Sequence, residues 1–172
     1  PELNNLITLD ILEKGIGTYA IRNQIVASAP ENSVYLVNDA DDLSSAQRAS
    51  IQMAQVCESN TVVNIGDIVR LADDYSVLQL DDHVEHYGSA SLASTPKSHK
   101  EIGYYQALRK GADTEFIQRV QRFLAQGAFS WIRYPLLYQT FASNNLTQDI
   151  YQRENNALIQ KISSRQALLD SF

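Results

Sequence analysis

Five side chains able to bind a metal or carry a proton fall within six positions of LQLDDHVEHYG (residues 78–88): Asp81, Asp82, His83, Glu85 and His86. On a helix, Asp82 and His86 stand at i, i+4 and His83 and His86 at i, i+3, so three ligands share a face. On a strand, alternation splits the set and pairs Asp82 with His86 or His83 with Glu85. A zinc centre wants three or four protein ligands, themselves oriented by further hydrogen bonds. No other His-x-x-His or Glu-x-x-His element is present, and the remaining histidine, His99, lies beyond GSASLASTPK. Asp82, His83, Glu85 and His86 are therefore the candidate metal or acid–base site. The plainer expectation, a solvated acidic turn, is preferred.

Phosphate chemistry has less to stand on. Gly15-Ile16-Gly17 lacks a third glycine and a preceding strand, and no Gly-x-x-x-x-Gly-Lys run exists to cradle a nucleotide. SVYLVNDADD (residues 33–42) reads as a strand ending in an acidic loop, or as a helix running into the next segment. No cofactor is expected.

The second constellation is aromatic. In FSWIRYPLLYQTF, Trp131, Tyr134, Tyr138 and Phe141 recur at intervals of three, four and three, which lines four rings along one helical edge. Pro135 sits among them, where a helix must start or kink. Such a stripe is usually core. Its functional reading is a partner-binding groove formed by Trp131, Tyr134, Tyr138 and Phe141.

Charge narrows the partners. Residues 31–87 carry eleven acidic against two basic side chains, a net of −9, whereas residues 88–172 carry ten basic against six acidic, a net of +4. A pI near 5.0 argues against broad contact with a phosphate backbone. The two regions suit each other instead, within one chain or between copies, so a protein partner or self-association is expected. Cys57 is the only cysteine, which excludes an internal disulfide framework. No apolar run approaches the roughly 20 residues of a membrane span. Together these favour the cytoplasm.

The elements that would position these groups read as helices. SHKE (residues 98–101) is a capping-box pattern opening a helix that Gly111 would stop, and Thr114–Gln126 carries an amphipathic stripe of Phe116, Ile117, Val120, Phe123 and Leu124. A long helix is expected from Asn145 almost to Phe172. Residues 3–28 look helical with a break at Gly15–Gly17, and SSAQ (residues 44–47) opens a helix to about Glu58. Residues 61–80 read either as a short hairpin or as a helix, and the helix is favoured by its neighbours. The expectation is a mainly α, helical-bundle-like single domain over 1–172, with a flexible loop at about 88–97 and at most one short β-hairpin around 61–80.

On this reading the chain is a non-catalytic interaction, adaptor or regulatory module acting through helical surfaces as an oligomer. One alternative is a metal-binding protein or enzyme using Asp82, His83, Glu85 and His86. The other is a helical ligand-sensing domain of a larger receptor, prompted by Pro1 standing where a methionine would.

Overall fold

The computed structural model describes residues 11–141 and 151–160, the side chain of Gln160 excepted. Its centre is β3 (Val63–Leu71), and all nine of its residues are buried. The near-continuous apolar run VVNIGDIVRL suits a strand covered on both faces. Along one edge β3 pairs antiparallel with β6 (Ala93–Ser94), then β5 (Glu85–Tyr87), then β4 (Val77–Leu80). Along the other edge it pairs parallel with the long β7 (Phe129–Thr140). Two short strands extend the sheet: β1 (Tyr35–Leu36) lies on β6, and β2 (Asp42–Ser44) lies on β7. A hairpin of β8 (Tyr151–Glu154) and β9 (Ala157–Gln160) joins through β9, which runs parallel to β4.

Alternation along β3 sorts the two faces. Val63 and Ile65 point into the main core with Phe116, Ile117 and Val120 of α4 (Ala112–Phe123), Tyr105 and Leu92. Asn64 points the other way, to α2 (Arg48–Glu58), where it bonds Gln52. Helices therefore cover both faces: α4 and α3 (Pro96–Ile102) on one, α2 on the other. α1 (Thr18–Ser28) is tied to the α3–α4 connection by Asn23, which bonds both the backbone amide and the carbonyl of Tyr105. A smaller core of Ala72, Leu78, Phe141 and Leu158 closes the end near β9.

Among the described residues, nine strands in one mixed sheet overturn the mainly α, helical-bundle expectation: this is an α/β fold. Helix-like spacings arise by accident in a strand buried on both faces, as β3 is, or bulged, as β7 is. Residues 61–80 are the hairpin alternative rather than the helix, with β3 and β4 joined at Asp73–Ser76. The expected helix from Asn145 falls partly on residues outside the described ones, and 151–160 within it form β8 and β9 around Asn155 at φ 54°. The aromatic run is strand β7. The stretch 88–97, expected as a flexible loop, is a 3-10 turn (Ser89–Ser91), β6 and the start of α3, with Ser91, Leu92, Ala93 and Ser94 fully buried.

Helix ends also move. Thr95 caps α3 by accepting from the Ser98 amide at 3.3 Å, and Gly103 at φ 88° ends it. Gly111 instead opens α4. The amphipathic helix expected at Thr114–Gln126 is present as α4, and the helix expected after residues 44–47 is α2, although Ser44 lies in β2 and caps nothing. The expected break at Gly15–Gly17 precedes α1, with Gly17 at φ 88°. Among the described residues no helix is long and apolar enough to cross a membrane.

The close approach of β3 and β7 makes a prediction. A Cβ at Gly66 would stand 2.4–2.8 Å from the Leu136 side chain. Gly66→Ala should cost about 1–3 kcal/mol through overpacking at the sheet centre. Urea unfolding measures it, and an unchanged midpoint would contradict this packing.

Candidate functional site

The parallel β3–β7 ladder is regular from Val63↔Phe129 to Gly66↔Ile132 and then slips. Asp67 faces Pro135 and Ile68 faces Leu137, so Arg133, Tyr134 and then Leu136 are extra residues on β7. This is where proline belongs in a sheet, since a bulge has no ladder bond to lose at its missing N–H. Pro135 thus marks a bulge, not a helix start. The bulge also explains the three-four-three aromatic spacing, because each inserted residue shifts which face follows.

What the bulge presents is a fixed aromatic cluster. Trp131 donates its indole N–H to Asp67 Oδ1 at 2.8 Å, and Asp67 is only 5% exposed. Tyr87, paired with Asp67 from β5, packs edge-on to the indole at 5.1 Å and 83°. The Arg133 guanidinium lies over the same ring, 3.8 Å from its centroid. Trp131 stays 36% exposed, Tyr134 46% and Val84 38%. Burial, with Asp113 nearby, pushes the Tyr87 hydroxyl up to about 12, so it remains a neutral donor. Among the described residues no carboxylate pairs with Arg133. A rigid indole, an edge-on tyrosine and a guanidinium stacked on the indole without a carboxylate partner are the chemistry of interface hot spots.

The four aromatics expected along one helical edge, as core or as a partner-binding groove, therefore separate. Trp131 and Tyr134 are exposed at the bulge, Tyr138 is half-buried opposite Leu43 of β2, and Phe141 is buried in the smaller core. Asp67, Tyr87 and Arg133 were not foreseen. Pro135 within an apolar run was the available signal.

The acidic-histidine stretch has its own explanation. Asp81 and Asp82, at φ 50° and 62°, are the two central residues of a tight turn closed by paired Leu80–His83 backbone bonds of 2.9 and 3.0 Å. Two left-handed positions in a two-residue hairpin loop favour short polar side chains, and aspartate tolerates them. Asp82, His83 and Glu85 are exposed, whereas His86 turns to the opposite face of β5 from Glu85 and is half-buried. Among the described residues no group of three or more His, Cys, Asp or Glu side chains is placed to hold a metal.

Two other polar groups lie inside the fold. Ser94 Oγ and His99 Nε2 are 2.9 Å apart, and His99 is stacked on Phe116 with ring centroids 4.2 Å apart. Both residues are fully buried, so the pair has no open side for a substrate. On the α2 face, Arg48, Gln52, Asn64 and Ser91 form a buried hydrogen-bonded network. A surface concavity of about 460 Å³ runs along α4 between Gln106 and Phe123, but Glu115 and Arg119 in its wall are already paired at 2.5 Å.

Compared with protein-family models and with curated proteins, the chain matches none.

Proposed function

We propose that the chain is a non-catalytic interaction module that engages a protein partner through the bulge face of Tyr87, Trp131, Arg133 and Tyr134. The observation that carries this reading is the Asp67–Trp131 bond, which holds a large exposed ring in one orientation. Pre-ordering an anchor lowers the entropy lost on association. The partner that fits presents an apolar side chain to the Trp131–Tyr87 notch and a carboxylate to Arg133. The buried Ser94–His99 pair and the separated acidic residues supply no comparable opening for catalysis.

Arg133→Ala and Tyr134→Ala should each leave stability within about 0.5 kcal/mol, since both side chains project from the surface. Trp131→Ala should weaken partner affinity roughly 30-fold or more, as loss of a central aromatic anchor does. The measurement is affinity capture with wild-type and variant baits, followed by calorimetric titration of the captured protein against each of them. Light scattering of the chain alone distinguishes a second copy from a different protein as occupant. A partner that binds Trp131→Ala and Arg133→Ala as tightly as wild type would refute the assignment of this face.

A further inference from the structure

We propose that Arg70 and His86 form a binding site for a small oxyanion, a carboxylate or a phosphate, on the face of the sheet that carries Asn64 and Gln139. This face is opposite the Trp131 cluster, because Arg70 and Asp67 differ in parity along β3 and His86 and Tyr87 alternate on β5. The site is independent of the proposed partner face.

Unmet hydrogen-bonding capacity marks the site. Among the described residues, three of the five buried side-chain polar atoms without a partner belong to these two residues: Arg70 Nε and both ring nitrogens of His86. Buried polar atoms are nearly always satisfied, so these three, with the Val84 backbone acting on the imidazole as a weak acceptor, ask for an absent group. The residues are neighbours by register, since His86 pairs with Ile68 and Arg70 lies two residues further along the same face of β3. Arg70 is only 8% exposed.

Charge points to the same class of ligand. Among the described residues no carboxylate lies within ion-pair distance of Arg70. Its guanidinium rests 4.9 Å from the Tyr151 ring centroid and shares a side-chain hydrogen bond with Tyr151, which softens the charge without neutralising it and leaves Nε unpaired. The Asp42 carboxylate also acts on Arg70, but it accepts from Gln139 Nε2 at 3.1 Å and burial pushes its carboxyl up to about 6. A buried cation without a counter-charge is costly, and an entering oxyanion removes that cost. The edge of a guanidinium, one Nε–H and one Nη–H, meets two oxygens at once, and a neutral imidazole adds a third donor. His86 retains partial exposure and marks the side from which a small anion enters.

Thermal unfolding tests this with sodium phosphate and sodium acetate, each against sodium chloride at matched ionic strength. The wild-type chain should gain about 2–4 °C in Tm over the chloride control once the anion is several-fold above its dissociation constant. Phosphate alone giving the gain identifies a tetrahedral ligand, and acetate alone a carboxylate. Arg70→Met, which removes the buried charge, and His86→Leu should both lose the increment. If Arg70→Met does not fold, His86→Leu decides by itself. No gain in the wild-type chain with either anion, or an equal gain in a folded variant, would overturn the proposal.

Discussion

Replacing Gln52 by leucine is expected to lower the unfolding free energy by about 3–5 kcal/mol, even though leucine is more apolar and of similar size. Gln52 is fully buried on α2 and joins three elements. Its Oε1 accepts from Arg48 Nε at 2.9 Å, and its Nε2 donates to Asn64 Oδ1 at 3.0 Å and to the Ser91 carbonyl at 2.7 Å. Leucine would strip a partner from all three groups at once, and each buried group left unsatisfied costs about 1–3 kcal/mol. The guanidinium is the most sensitive of them. Arg48 is 2% exposed and is held only by neutral acceptors: Gln52, Asn38, Ser44 and the Val37 carbonyl. Burial already lowers it to about 10, and Asp42 only partly offsets this. Urea unfolding of Gln52→Leu measures the effect. A loss under about 1 kcal/mol would mean that the network is not shared as described.

That network shows why so much of the fold was hidden from the sequence. Gln52 and Ser91 are 39 positions apart, and nothing local at either residue announces the other. α4 was legible because it lies on the surface, with Phe116, Ile117 and Val120 buried and Phe123 67% exposed. β3 was not, because burial on both faces erases the alternation that identifies a strand. β7 misled for another reason. Its register shifts at Gly66–Ile68 convert an alternating pattern into the spacing of a helix. Trp131 and Tyr134 could therefore be singled out from the sequence, but Asp67, Tyr87 and Arg133 could not, since only the bulge brings them together. The Asp81-Asp82 pair invited a ligand reading, whereas its left-handed backbone gives turn chemistry as the reason for those residues.

The chain should also lose stability in mild acid, with His99 as the principal cause. His99 is fully buried among Phe116, Tyr104 and Tyr105, and its Nδ1 has no partner. Desolvation, helped by the Arg119 charge, pushes its imidazole down to about 4. The unfolded chain takes up this proton near the ordinary value of 6.5, so between pH 6.5 and 4 the unfolded state binds more protons. The stabilisation is therefore complete above about pH 6.5 and is lost as pH falls toward 4, by roughly 3 kcal/mol at 1.36 kcal/mol per pH unit. His86, lowered to about 4 by burial and by Arg70, acts in the same direction. Asp42 opposes it: with its carboxyl raised to about 6, the folded state takes up the proton first, and stability grows as pH falls from 6 toward 4. These last two effects are similar in size and opposite in sign, which leaves His99 to set the net slope. Urea unfolding at pH 7 and pH 4.5 should show the decline in the wild-type chain. His99→Gln should flatten it and Asp42→Asn should steepen it. Equal slopes in wild type and His99→Gln would show that the buried imidazole does not govern acid stability.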